Sequence, residues 1–167
     1  MARRVFFSFY YSEDAWRTSQ VRNIGALEGN RPCTDNEWQR VLSGGDAAIR
    51  RWIDNELAGK SCTIVLIGSQ TAYRPWVQYE IQESWRKKKA LFGINIHGLY
   101  DQKSQPSLKG SNPFLGRGLA DTYGRTCDWD IPVYDPSGWY STDKYKNIAD
   151  NIEHWIDDAI ARRARWG

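Results

Sequence analysis

Glu80 is the residue of this chain whose setting most invites chemistry. It stands in the run Gly68-Ser69-Gln70-Thr71-Ala72-Tyr73-Arg74-Pro75-Trp76-Val77-Gln78-Tyr79-Glu80-Ile81. Trp76 precedes it by four residues, and Glu83 and Ser84 follow by three and four, so on a helix all three are its neighbours. Glu83 has Arg86 and Lys87 at pairing distance, whereas Glu80 has no basic residue at that spacing. A partly buried carboxyl beside an indole and a second acid holds its proton more tightly than a free one. That is useful in catalysis. The same spacing also suits a surface glutamate, or one paired with an arginine from elsewhere such as Arg22 or Arg50, and local pattern alone leaves these readings open.

Other reactive residue types form no constellation. His97 and His154 are isolated, no serine has a Gly-x-Ser-x-Gly context, and Cys33, Cys62 and Cys127 are widely spaced without a Cys-x-x-Cys. Neither a metal site, a disulfide framework nor a nucleophile elbow is expected. The absence of Gly-x-Gly-x-x-Gly after the first strand, and of Gly-x-x-x-x-Gly-Lys-Ser/Thr anywhere, argues against a glycine-turn dinucleotide site or a P-loop.

The elements that must hold Glu80 alternate between strand and helix. Val5-Phe6-Phe7-Ser8-Phe9 reads as a buried first strand. Ser12-Glu13-Asp14 looks like a capped helix start, with the helix continuing to about Leu27. Residues 29–45 are polar and Gly-rich, with a short strand expected near Arg31–Thr34. An amphipathic helix is expected over Asp46–Leu57, with Ile49, Trp52, Ile53 and Leu57 at helical spacing. Cys62–Ile67 is a buried strand, and Pro75 suits the first position of a helix running to about Lys89. Ala90–Ile96 is a further strand, and Ile131–Tyr134, with its proline, an edge strand. Residues 97–128 show no periodicity. A last helix is expected over about Asp143–Arg163.

This alternation implies an α/β fold, a parallel sheet covered on both faces. Ligands in such folds bind beyond the carboxyl ends of the strands, near the switch in strand order. The first strand would deliver Ser8–Ser12 to that edge and the third Gly68, Ser69 and Gln70, so the two loops would face one cleft.

A chain of 167 residues suits a single domain, here 1–167. Its 41% hydrophobic and 26% charged residues are ordinary for a globular protein. A net charge of +3 is too weak to argue for nucleic acid. The basic tail Arg162-Arg163-Ala164-Arg165 reads as a solvated helix end. With no long apolar segment and no disulfide framework, a reduced, cytoplasmic protein is expected, with no membrane partner. Nine tryptophans and nine tyrosines are unusual, and serve cores, interfaces and stacking pockets alike.

Several of these runs together resemble a known family. Arg4-Val5-Phe6-Phe7-Ser8-Phe9-Tyr10-Tyr11 resembles the opening of the TIR-like domains of the MTH538/DUF1863 type. Val65-Leu66-Ile67-Gly68-Ser69-Gln70-Thr71, followed by Trp76-Val77-Gln78-Tyr79-Glu80-Ile81, resembles the same group, and within it the TIR proteins of Thoeris anti-phage defence. Val21-Arg22-Asn23 and Gly110-Ser111-Asn112-Pro113-Phe114 extend the likeness across about residues 3–118. The resemblance implies a flavodoxin-like TIR fold with about five parallel strands and helices on both faces. It implies cleavage of NAD at the nicotinamide–ribose bond, with NAD as substrate and no cofactor, and a cyclic ADP-ribose isomer or related ADP-ribose signal that activates a separate effector protein. A phage protein as trigger and self-assembly into a homo-oligomer are further implied partners. Glu80 matches the family's catalytic glutamate. Ser8, Phe9, Tyr10 and Tyr11 would form one wall of the substrate site, and Ser69 and Trp76 another. Tyr10 stands where some relatives carry histidine.

One acid suffices for such a reaction. Nicotinamide in NAD is cationic and leaves as a neutral molecule, so the leaving group needs no proton, unlike the oxygen of an ordinary glycoside. A carboxylate beside the ribose stabilises the positive charge that develops. Two other readings fit similar sheets: a non-enzymatic TIR-like interaction module, and nucleoside deoxyribosyl transfer with the glutamate as nucleophile.

Overall fold

A computed structural model describes residues 3–29 and 35–167. The order is β1 (Arg3–Ser8), α1 (Tyr11–Arg22), β2 (Leu27–Glu28), α2 (Asp35–Ser43), α3 (Asp46–Leu57), β3 (Cys62–Ile67), α4 (Pro75–Arg86), β4 (Ala90–Asn95), β5 (Val133–Tyr134) and α5 (Ser141–Arg165). The five strands form one sheet in the order β2-β1-β3-β4-β5, and each pairing is parallel. This is the flavodoxin-like order, in which the chain switches direction between β1 and β3.

Every residue of β3 and β4 is buried, as strands covered on both faces require. Their side chains sort by the two-residue period. Val5, Phe7, Cys62, Ile64, Leu66, Phe92 and Ile94 meet Ile148, Ile152, Trp155 and Ile156 of α5 in one layer. On the opposite face, Val65, Ile67 and Leu91 meet Val77, Ile81 and Trp85 of α4, and Phe6 meets Ile49, Ile53 and Leu57 of α3.

Several boundaries differ from the sequence reading. Helix α1 begins at Tyr11, so Ser12 is not its cap, and it ends at Arg22. Ile24 and Leu27, which prolong the apolar pattern, are buried in the turn and in β2 instead. The strand expected at Arg31–Thr34 lies outside the described residues. Residues 35–43, read as irregular, form α2, with Val41 and Leu42 packed on the α3 layer. Helix α4 stops at Arg86 because Lys88 adopts a left-handed φ of 60°. The Lys88 and Lys89 amides then close on the carbonyls of Trp85 and Ser84, at 2.9 and 2.8 Å. That is a Schellman ending with lysine in the usual glycine place, which is why no sequence signal announced it.

Residues 97–128 form an ordered irregular segment. Leu99, Phe114, Leu119 and Cys127 are buried, and Gly93 of β4 leaves the room that Phe114 fills. Asp101 and Asp121 each accept two backbone amides from residues just downstream, which makes local turns without periodicity.

Candidate active site

Strand β1 ends at Ser8 and helix α4 carries Glu80, on neighbouring elements at the switch point. The Ser8 hydroxyl donates to Glu80 Oε1 at 3.3 Å. Glu80 is only 8% exposed and has no ion pair among the described residues; Arg50 instead lies 5.9 Å from the Tyr79 ring centre. Burial pushes the Glu80 carboxyl up to about 8, and the Ser8 bond opposes that rise. At neutral pH the group is therefore mostly protonated in the unliganded protein. Glu83, three residues on, goes the other way: its bond to Arg86 holds it below the ordinary carboxylate range.

Helix α4 is pinned directly behind Glu80. Ser84 donates its hydroxyl to the Glu80 carbonyl at 2.6 Å and accepts from Thr63 of β3 at 2.7 Å. A helix tied to the central strand one turn past the acid keeps the carboxyl on the edge of its sheet-facing side.

The other expected residues fall in different places. Tyr10 lies under the Arg74 guanidinium, 3.9 Å from its ring centre. Ser69 donates to Glu13 Oε1 at 2.6 Å rather than reaching Glu80. Trp76 is half-buried on the α3 layer, edge-on to Tyr79 with centroids 5.6 Å apart. Phe9 packs on the layer of α1 and α5, across the sheet from Glu80, 6.1 Å from Tyr11. The structure thus brings Ser8 to Glu80 directly, with Tyr10 two residues along the same turn.

Sequence reasoning gave no role to several residues at this edge. Arg74 is one; its only sequence signal was a cation opening a helix whose first turn holds no acid. Asp14, read as an ordinary first-turn acid, is fully buried. Its Oδ1 accepts from Arg17 at 3.1 Å while Oδ2 has no partner, and burial outweighs the arginine to push it up to about 6. Arg17 in turn donates to the carbonyls of Leu99 and Gln105, at 2.8 and 2.9 Å. Gly68 packs its bare Cα against the Asp14 carboxylate, and Gly110 packs against the Gly68 carbonyl. Side chains at either glycine would collide, so these two positions set how closely the long segment lies on the exit of β3.

Among the described residues no group of three or more His, Cys, Asp or Glu side chains converges as a metal site would require. What the edge offers is one weakly acidic carboxyl, a hydroxyl on it, aromatic rings and a nearby guanidinium.

The model of the family "Thoeris protein ThsB, TIR-like domain" matches residues 6–101. The chain belongs to this family of TIR-like domains. The match runs from Phe6 within β1 through β4, and with them Ser8, Phe9, Tyr10, Tyr11, Ser69, Trp76 and Glu80, and leaves β5 and α5 outside. The chain is also similar to a protein of Bacillus cereus (strain MSX-D12) named "Putative cyclic ADP-D-ribose synthase ThsB1", 39% identical over 119 residues. The aligned region is 68% of this chain and 62% of that relative. No helix among the described residues is long and apolar enough to cross a membrane.

Proposed function

We propose that this protein is an anti-phage defence enzyme that cleaves NAD at the nicotinamide–ribose bond and closes the product into a cyclic ADP-ribose isomer. The observation that carries the reading is the buried Ser8–Glu80 pair at the switch point of a ThsB-type TIR-like domain. The name of the Bacillus cereus relative supports the product class.

Glu80 acts on the ribose. Its high proton affinity reflects burial without a cation. A bound nicotinamide ribosyl group, itself cationic, supplies that charge and favours the carboxylate. The carboxylate then stabilises the oxocarbenium-like sugar as the C1′–N bond breaks and its electron pair leaves with nicotinamide. Ser8 orients the carboxyl. Tyr10, Tyr11, Ser69 and Trp76 line the approach and exclude water, so that a ring nitrogen of the same molecule captures the sugar. Phe9 supports this wall from the core side. NAD is substrate and no separate cofactor takes part. The cyclic product diffuses to an effector protein, a phage component triggers the enzyme, and the reaction takes place in the cytoplasm.

The test is incubation with NAD in triggered extract or assembled form, with products separated by chromatography. Nicotinamide appearing with a cyclic ADP-ribose isomer supports the proposal. Intact NAD, or release of linear ADP-ribose alone, contradicts the cyclase reading.

A further inference from the structure

The turn Ser8-Phe9-Tyr10 touches α4 twice. Ser8 bonds Glu80, and Tyr10 supports the Arg74 guanidinium. In extended backbone, residues two apart are separated by roughly 7 Å. Along α4, Arg74 and Glu80 are separated by about 9 Å at 1.5 Å per residue. Both measures set the backbone positions that carry these groups roughly 7–9 Å apart, with one turn of the chain touching both side chains.

Arg74, like Arg163 on Trp85, rests on an aromatic ring and keeps a nitrogen without a partner, but it does so beside the turn that carries Ser8. Arg86, Arg125 and Arg162 all pair with carboxylates on their own helix or loop. Arg74 has no ion pair among the described residues. One nitrogen donates to Gln70 Oε1 at 3.1 Å, and Nε is buried with no hydrogen-bond partner at all. The ring of Tyr10 lies against the guanidinium, and no carboxylate among the described residues engages its Nη donors. A planar cation held in place with donors to spare is suited to two oxygens of a phosphate.

Of the carboxyls close by, Asp14 is paired with Arg17 and Glu80 is buried on the Ser8 hydroxyl. Glu13 accepts from the uncharged Ser69 hydroxyl.

We infer that Arg74, planted on Tyr10 and Gln70, is the anchor for the diphosphate of the substrate. In NAD the diphosphate begins one hydroxymethyl group from the ribose on which Glu80 would act, so a substrate seated on Glu80 carries its phosphates along the same edge of the sheet, where the Ser8–Tyr10 turn holds Arg74. This inference rests on the reading of the site as an NAD site. It assigns Arg74 to binding and orientation, with no part in bond breaking.

The experiment is calorimetric titration of the purified protein with ADP-ribose and, separately, with adenosine, using wild type, Arg74→Gln and Arg74→Lys. ADP-ribose carries the diphosphate but no nicotinamide, so binding is measured whether or not cleavage occurs. Failure of this inference is thereby separated from failure of the cleavage reading, which is judged by nicotinamide release. Arg74→Gln is expected to weaken ADP-ribose binding about 10- to 100-fold, the range for losing charge-assisted hydrogen bonds, and to leave adenosine binding unchanged. Arg74→Lys keeps the charge over Tyr10 but loses the planar fork, and should fall between. Equal weakening of both ligands, unchanged ADP-ribose binding in Arg74→Gln, or no ADP-ribose binding by wild type would each overturn the inference.

Discussion

The Ser8 hydroxyl, at the end of the first strand, donates to the Glu80 carboxyl 72 residues later in the chain, at 3.3 Å and under cover from solvent. This contact ties the outgoing edge of β1 to the middle of α4. It leaves the carboxyl with one neutral donor and no cation, so its protonation is set by burial against a single hydrogen bond.

The pH dependence follows. Catalysis through the Glu80 carboxylate requires ionisation, and burial pushes the group up to about 8. The kcat/KM for NAD should therefore rise with pH across about 6 to 9, since that ratio reports the free enzyme. Ser8 favours the ionised form, so Ser8→Ala should move the rise to higher pH and lower the rate at pH 7 by roughly three- to tenfold. A flat profile, or one unmoved by Ser8→Ala, contradicts this role.

Arg17 should be a structural keystone. Removing it leaves Asp14 buried without a cation and frees the carbonyls of Leu99 and Gln105. Arg17→Met should cost about 3–5 kcal/mol in urea unfolding at pH 7.5. Asp14 has its proton affinity raised by burial, to about 6 in the intact pair. The penalty of a buried unpaired carboxylate is present when Asp14 is charged and vanishes as it is protonated. Without Arg17 the proton affinity of Asp14 rises further, so the gap between variant and wild type should narrow as the pH is lowered from 7.5 towards 6 and level off below it, where Asp14 is protonated in both folded proteins.

Gly110 tests the seating of the long segment. An added Cβ meets the Gly68 carbonyl, which is backbone and cannot turn aside. Gly110→Ala should cost about 1–3 kcal/mol. Faster proteolysis between residues 97 and 118 should accompany the loss.

Lys88 offers an opposite change. Its left-handed φ of 60° carries a strain of about 1–2 kcal/mol for a residue with a Cβ. Lys88→Gly should relieve it and, after the entropy of glycine in the unfolded chain, raise stability by roughly 0.5–1 kcal/mol. At this size that is about 1–4 °C in Tm by calorimetry.

The central sheet was readable because β1, β3 and β4 are continuous apolar runs and α3, α4 and α5 carry helical stripes. Helix α2 was missed although Trp38, Val41 and Leu42 stand at helical spacing, because polar residues and glycines surround so short a stripe. Residues 97–128 resisted reading because they are shaped by aspartate turns and by Arg17, a residue more than 80 positions away in sequence from the carbonyls it holds. Glu80 was singled out by its missing helical partner. Its bond to Ser8 and the pairing of Tyr10 with Arg74 arise only when β1 and α4 pack together, and no local pattern encodes that meeting.

The central claim is that Glu80 acts on the nicotinamide ribose. Its most direct test is release of nicotinamide from NAD by triggered or assembled protein, wild type beside Glu80→Gln, with folding of both checked by thermal unfolding. Glutamine keeps the shape and can still accept from Ser8, but it cannot carry charge. The account predicts release by wild type and a loss of about a hundredfold or more in Glu80→Gln. Equal release by the two proteins, or none from wild type, would contradict it.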